Sequence, residues 1–222
     1  MMEQVITAIE AVKGSKKRRV LVNDEWKFSL YAGQVREHGL TEGMELTGAL
    51  YQKICRETLL PQAKKRVLNL LLAKDRSEME LNKKLLKDGY PEEVCAAAVD
   101  YAKGYHYVDD LRYAATYLRS HQEEKSRLEL TMKLKQKGIV GEVIEEAFEM
   151  VRTERMELLS DDFEEAEITA LRRQVAKKVK DSASLSNKEI SKLVASLGAK
   201  GFSVRDIRDV IGSVVGGNFE YL

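Results

Sequence analysis

The groups in this chain that could do chemistry are few and scattered. A metal site needs ligands at a short recurring spacing, yet His38, His106 and His121 each stand without a second His or Cys at such a spacing. His121 has only Glu123 and Glu124 near it, on a polar connector. Cys55 and Cys95 lie far apart, each within an apolar pattern of helical period. That reads as two reduced core thiols. Asp109-Asp110 invites metal or acid–base work, but adjacent residues on a helix do not face the same way. Their place just before an apolar helix makes them caps. Neither a G-x-x-x-x-G-K-[ST] phosphate loop nor a G-x-G-x-x-G turn occurs, and Gly198-Ala199-Lys200-Gly201 reads as a helix end. The run Lys16 to Arg19 could meet phosphates or could guard a strand edge. The expectation is a protein that is not an enzyme and uses no cofactor and no metal.

The elements that hold these residues repeat. A small or polar residue is followed by Leu at plus four, Leu at plus eight, Gly at plus twelve and then a large apolar residue. The copies are Ser77, Leu81, Leu85, Gly89, Tyr90; then Ser126, Leu130, Leu134, Gly138, Ile139; then Glu189, Leu193, Leu197, Gly201, Phe202. Leu at i and i+4 marks one buried helical face. Gly just past the helix end supplies the left-handed residue that stops it. A second helix follows each Gly, carrying Cys95, Ala98 and Val99, then Ile144, Ala147 and Phe148, then Ile207, Val210 and Ile211. A third helix precedes each copy, through Val67 and Leu70, through Ala114 and Leu118, and through Leu171 and Val175. The unit is therefore three helices in roughly fifty residues, in the size range of helical solenoids. So small a unit buries little alone, so neighbours must stack.

Composition sets outer limits. The chain has 222 residues, 44% hydrophobic and 33% charged, with a net charge of +1. No global basic excess demands nucleic acid. Charge is uneven, however: Glu154 to Glu167 holds seven acids and one base, and Leu171 to Arg208 holds ten bases and three acids. Acids at one end of a helix and bases at the other complement its dipole; a basic patch on the third repeat explains the same counts. No stretch reads as a signal peptide or a membrane span. A soluble, cytoplasmic protein without membrane contact is expected.

The first sixty residues differ. Val5 to Val12 is short enough for a strand, and Arg18 to Leu30 reads as a β-hairpin turning at Asn23-Asp24-Glu25. Trp26, Phe28 and Leu30 are expected on one face, alternating with Lys27 and Ser29. Helices are expected from Tyr31 to Glu37 and from Met44 to Thr58. The fold class is thus mainly α: tandem three-helix repeats in an elongated, curved solenoid-like array, with a small N-terminal module containing a β-hairpin. The expected divisions are residues 1–60, 61–104, 105–155 and 156–222.

Three stretches carry a family resemblance: LLAKDRSEMELNKKLLKDGYPEEV, KGYHYVDDLRYAATYLRSH and LKQKGIVGEVIEEAF. With Arg76-Ser77, Glu80-Leu81, Leu85, Gly89-Tyr90, Asp109-Asp110, Ala114, Tyr117 and Lys137-Gly138-Ile139, the chain resembles the RecX family of bacterial regulators of the RecA recombinase. The resemblance spans about Ala63 to Gly212 and weakens in the third repeat, where Glu189 takes the Ser position. It implies three tandem three-helix repeats. It also implies binding along the groove of the RecA filament on single-stranded DNA, with restraint of ATPase, strand-exchange and coprotease activities. A monomer, with possible direct DNA contact, completes the expectation.

The Leu and Gly positions of each copy are core. The contact surface expected from charge is Arg172, Arg173, Lys177, Lys178, Lys180, Lys192, Lys200, Arg205 and Arg208, with a solvated helix face as the plainer reading. A second group is Lys64, Lys65, Arg66, Lys83, Lys84 and Lys87 on the first repeat, and Arg76 is expected to brace helix connections. Two rival functions stand beside the filament reading. One is a direct DNA-binding helical module, with Ser186 to Val210 as a helix–turn–helix and Arg205 and Arg208 on its second helix. The equivalent helix of the second repeat opposes it, since Glu142 to Glu149 has four Glu and no base. The other is a helical scaffold for some other protein.

Overall fold

The computed structural model describes residues 3–159, 163–179 and 185–215. It divides into two compact units, Met1–Asp109 and Asp110–Leu222.

Unit 1 opens with an antiparallel meander of β1 (Ile6–Ala11), β2 (Lys17–Val22) and β3 (Glu25–Tyr31). Asn23 and Asp24 turn the hairpin with φ of 50° and 65°, the left-handed pair that matches the twist of the strands. The alternation expected of β3 does not run through it. Val20 pairs with Phe28 but Leu21 pairs with Trp26, so Lys27 is an extra residue on β3. One inserted residue moves everything beyond it to the opposite face. Phe28 and Leu30 are buried with Val20 and Val22, whereas Trp26 is 43% exposed. It shares the other face with Arg19 and Lys17 of β2 and with Ser29 and Tyr31.

After α1 (Ala32–Glu37), a single helical stretch replaces the one expected from Met44 to Thr58. It starts at α2 (Gly48–Ile54), capped by the Thr47 hydroxyl, and continues through a π-turn (Cys55–Leu59) into α3 (Leu60–Ala73) with right-handed helical backbone at each junction. The widened turn precedes Pro61, which cannot donate to a carbonyl four back and whose ring would crowd it. The Leu60 N–H accordingly donates five back, to Cys55. The chain is thus helical straight across residue 60, where a division was expected. Helices α4 (Glu78–Lys87) and α5 (Glu92–Gly104) complete the first repeat, with α3 and α4 both packed on α5. Phe28 and Leu30 of the sheet join Ile54, Leu59, Leu81, Leu85 and Val99 in one continuous core.

Unit 2 holds two repeats. In α6 (Asp110–His121), α7 (Arg127–Gln136) and α8 (Gly141–Leu159), the core is Ala114, Leu118, Leu130, Leu134, Ile144 and Phe148. In α9 (Phe163–Lys178), α10 (Asn187–Gly198) and α11 (Val204–Val215), it is Leu171, Val175, Leu193, Leu197, Phe202 and Ile207.

The Leu-rich helix of each repeat begins and ends the same way. Ser77 with Glu80, Ser126 with Glu129 and Ser186 with Glu189 form reciprocal capping boxes. The third start is therefore Ser186, not Glu189, which is the acidic partner of the box; Ile190 joins Leu193 and Leu197 on the buried face. At the other end Gly89, Gly138 and Gly201 have φ of 87°, 86° and 98°. The next N–H returns to the Leu five back, Tyr90 to Leu85 at 3.2 Å, Ile139 to Leu134 at 3.1 Å and Phe202 to Leu197 at 3.4 Å.

Two of these turns are seated on an earlier element. The Ser29 N–H of β3 donates to the Gly89 carbonyl at 2.8 Å, and a Cβ at Gly89 would collide with Ser29 and Trp26. The Ser126 hydroxyl donates to the Lys200 carbonyl, and a Cβ at Gly201 would collide with Leu128.

Leu130→Ala is expected to lose roughly 2–5 kcal/mol in chemical denaturation, through the cavity left at a fully buried site. Gly201→Ala and Gly14→Ala both incur the positive-φ penalty of roughly 1–2 kcal/mol. Only the first also displaces a packed side chain, since Gly14 faces open space; Gly201→Ala should show the larger loss in the same assay.

Candidate partner-binding surface

The basic residues of the third repeat divide by what they touch. Arg173 on α9 reaches back to Glu123 in the α6–α7 connection, meeting its carboxylate at 2.9 Å and its carbonyl at 3.3 Å. Lys200 reaches Gln174 at 2.6 Å and lies 3.8 Å from Glu129, while the buried Gln174 amide donates to the Glu124 carbonyl at 2.9 Å. These two cations brace the third repeat against the second. Lys178 donates to Ser196 at 2.5 Å, and with Lys192 and Glu189 it lines a shallow depression of about 360 Å³. Arg205 lies 4.0 Å from Asp209, one turn along α11. Arg172, Lys177, Lys192 and Arg208 are exposed. Lys180 falls outside the described residues.

Unit 1 assembles a second basic surface from segments distant in sequence. A groove of about 650 Å³ runs between the outer face of the hairpin and the helices α3 and α4. Lys17 and Arg19 come from the basic run that the sequence left ambiguous; Lys65, Arg66 and Lys87 come from the first repeat. Lys83 and Lys84 do not line it, and Lys64 instead stands over the Tyr101 ring at 4.1 Å. Trp26, Tyr31 and Tyr90 supply aromatic walls. None of the three stood out as a site residue, because the bulge that turns Trp26 outward has no signature in a run that alternates cleanly.

The groove's cations are held, not loose. Lys17 donates to the Asp88 carbonyl at 3.1 Å and stands over the Tyr90 ring at 4.9 Å. Burial pulls its ammonium below the ordinary lysine range, and the Asp88 carboxylate only partly restores it. The Arg19 guanidinium lies over Trp26 at 4.6 Å, and Arg66 pairs with Asp88 at 2.7 Å.

The remaining candidates have structural occupations. His38 bonds to Thr58 at 2.9 Å, and His121 bonds to the Tyr117 carbonyl at 2.9 Å and stacks on its ring. Cys55 and Cys95 are buried and unlinked, and burial pushes the Cys95 thiol up to about 12. Arg76 donates to the Leu70 carbonyl across the α3–α4 connection, the bracing expected of it. Asp110 opens α6, with Asp109 just before it. Among the described residues no group of three or more His, Cys, Asp or Glu could hold a metal, and no helix is long and apolar enough to cross a membrane.

An antiparallel meander joined to successive three-helix units, each with a Ser-Glu start and a Gly stop, defines a three-helix-repeat protein. Residues 63–101 match the model of the RecX first three-helix domain, and residues 109–147 match that of the second. The chain is 27% identical over 222 residues to the regulatory protein RecX of Clostridium acetobutylicum, covering 98% of this chain and 100% of that one. It is 32% identical over 159 residues to the regulatory protein RecX of Vibrio parahaemolyticus, covering 71% and 94% respectively. Among solved structures, a regulatory protein RecX superposes with a TM-score of 0.59 at 23% identity, over 93% of this chain and 99% of that one. RecX from Lactobacillus salivarius gives 0.56 at 19%, over 70% and 96%. The chain belongs to the RecX family.

Reversing charge at the bracing pair, Arg173→Glu with Lys200→Glu, places like charges against Glu123 and Glu129 and should lower stability by about 1–2 kcal/mol. Arg172→Glu with Lys177→Glu should change it by less than about 0.5 kcal/mol. Thermal denaturation followed by circular dichroism separates the two pairs.

Proposed function

We propose that this chain is an inhibitory regulator of the RecA recombinase. It binds along the groove of the RecA filament on single-stranded DNA and restrains ATP turnover, strand exchange and coprotease activity. The observation that carries this reading is membership of a family whose curated relatives are named regulatory proteins. The repeats support it physically. A filament presents the same surface at every protomer, and linked units that each make a weak contact gain avidity without any one contact being strong. The near-neutral chain with local basic surfaces suits a protein partner that carries DNA. The chain acts as a cytoplasmic monomer without a cofactor. Arg172, Lys177, Lys178, Lys192, Arg205 and Arg208 are exposed third-repeat cations available to such a partner, whereas Arg173 and Lys200 serve inside the unit.

The test is ATP turnover by RecA from the same organism on single-stranded DNA, titrated with this purified chain. Dose-dependent inhibition at ratios well below one chain per RecA is expected, with none of the turnover coming from the chain alone. No effect on turnover, with no co-sedimentation on filaments, overturns the proposal in favour of a scaffold for another protein.

A further inference from the structure

The groove of unit 1 has a composition that a merely solvated surface does not require. Five cations line it, Lys17, Arg19, Lys65, Arg66 and Lys87, against the single carboxylate of Asp88. That carboxylate is already paired with Arg66 at 2.7 Å. Two of the cations are held in place against aromatic rings. Lys17 is half-buried between Tyr31 and Tyr90, at 5.7 and 4.9 Å from their ring centres, where it loses hydration. The Arg19 guanidinium stands over the Trp26 ring, 4.6 Å from its centre. Among these walls are two aromatic rings that stay close to half exposed, Trp26 at 43% and Tyr31 at 45%. All of this is built on strands and helices that share one core, so the arrangement is pre-organised rather than mobile.

We propose that this groove binds single-stranded nucleic acid. Lys65, Lys87 and Arg19 meet the phosphates, and unpaired bases stack on Tyr31 and on the Arg19–Trp26 pair. Charge selects a polyanion. The exposed rings select among polyanions. A duplex keeps its base faces stacked on one another, and a run of Asp and Glu has no aromatic face to offer, whereas every unpaired base has one. The volume, about 650 Å³, lies within the range of ligand clefts. The site needs no RecA, and its success or failure is separate from that of the filament reading.

The chain has one tryptophan, Trp26, so its intrinsic fluorescence reports from inside the groove. Titration of the full chain with an oligothymidylate should quench that fluorescence, with an affinity that falls as salt rises. Lys65→Glu with Lys87→Glu should weaken binding about ten-fold or more and flatten the log–log salt slope by about 1.4, the contribution of two single-strand phosphate contacts. Tyr31→Leu should weaken binding while leaving the salt slope in place, which separates stacking from charge. Lys53→Glu with Arg56→Glu, a charge-matched pair on exposed residues outside the groove, should bind like the parent. Circular dichroism confirms that each variant is folded. Absence of quenching, equal weakening by the control pair, or equal competition by blunt duplex or by polyglutamate would overturn the proposal. The polyglutamate result would point to an acidic protein segment instead.

Discussion

At the end of α4 the Gly89 carbonyl accepts the backbone N–H of Ser29. At the end of α10 the Lys200 carbonyl accepts the hydroxyl of Ser126. Both contacts rest on one constraint. A helix that stops in a left-handed glycine bares backbone polar groups and removes a Cβ at the same place, so a neighbour can approach closely and must bring a donor. Replacing either glycine would put a methyl group into that neighbour. The packing of one element on the next therefore depends on the same residue that ends the helix. In unit 1 the neighbour is a strand; in unit 2 it is the start of α7, the Leu-rich helix of the preceding repeat. The meander thus does for the first repeat what the second repeat does for the third.

That equivalence accounts for several details around it. Ser126 both caps α7 and holds the Lys200 turn, and it is fully buried. Ser186 forms the same capping box at α10 yet is exposed. Ser29 is buried on a strand where alternation places a solvated residue, because the Gly89 turn covers it. The Lys27 bulge, by sending Trp26 to the same side as Ser29, lets the indole N–H reach the Phe28 carbonyl and the Ser29 hydroxyl at 3.2 and 3.3 Å. The same bulge places the Trp26 ring in the wall of the groove.

Most of the helical architecture is legible in the sequence because it follows from local rules. Leucines four apart, a Ser-x-x-Glu start and a Gly stop act within a single helix. Two of the places where reading fails are local to one helix; the others are decided by contacts between segments. Glu189 looks like the start of the third copy when the Leu–Leu–Gly spacing is counted backwards, and only the Ser186 cap shows that the helix begins one turn earlier. The chain stays helical across residue 60, because a π-turn accommodates Pro61 within one helix. The charge count on the third repeat could not separate Arg173 and Lys200, which close onto Glu123, Gln174 and Glu129, from Arg172 and Lys177, which do not. The groove was invisible for the same reason: its halves, Val12 to Tyr31 and Gln62 to Tyr90, are separate segments of the sequence, and nothing in either half announces the other.

The shared core of sheet and first repeat has a consequence for the order in which the chain can become structured. A three-stranded meander this short is marginal in isolation. Its inward residues, Val20, Phe28 and Leu30, find their partners on helices that end at Gly104. During synthesis the strands leave the ribosome before these helices, and they cannot be held until α5 has followed them. Val20, Phe28 and Leu30 are left unburied through that interval. The four basic residues at Lys16 to Arg19, at the start of β2, give that waiting strand a charged flank that discourages pairing with other nascent chains.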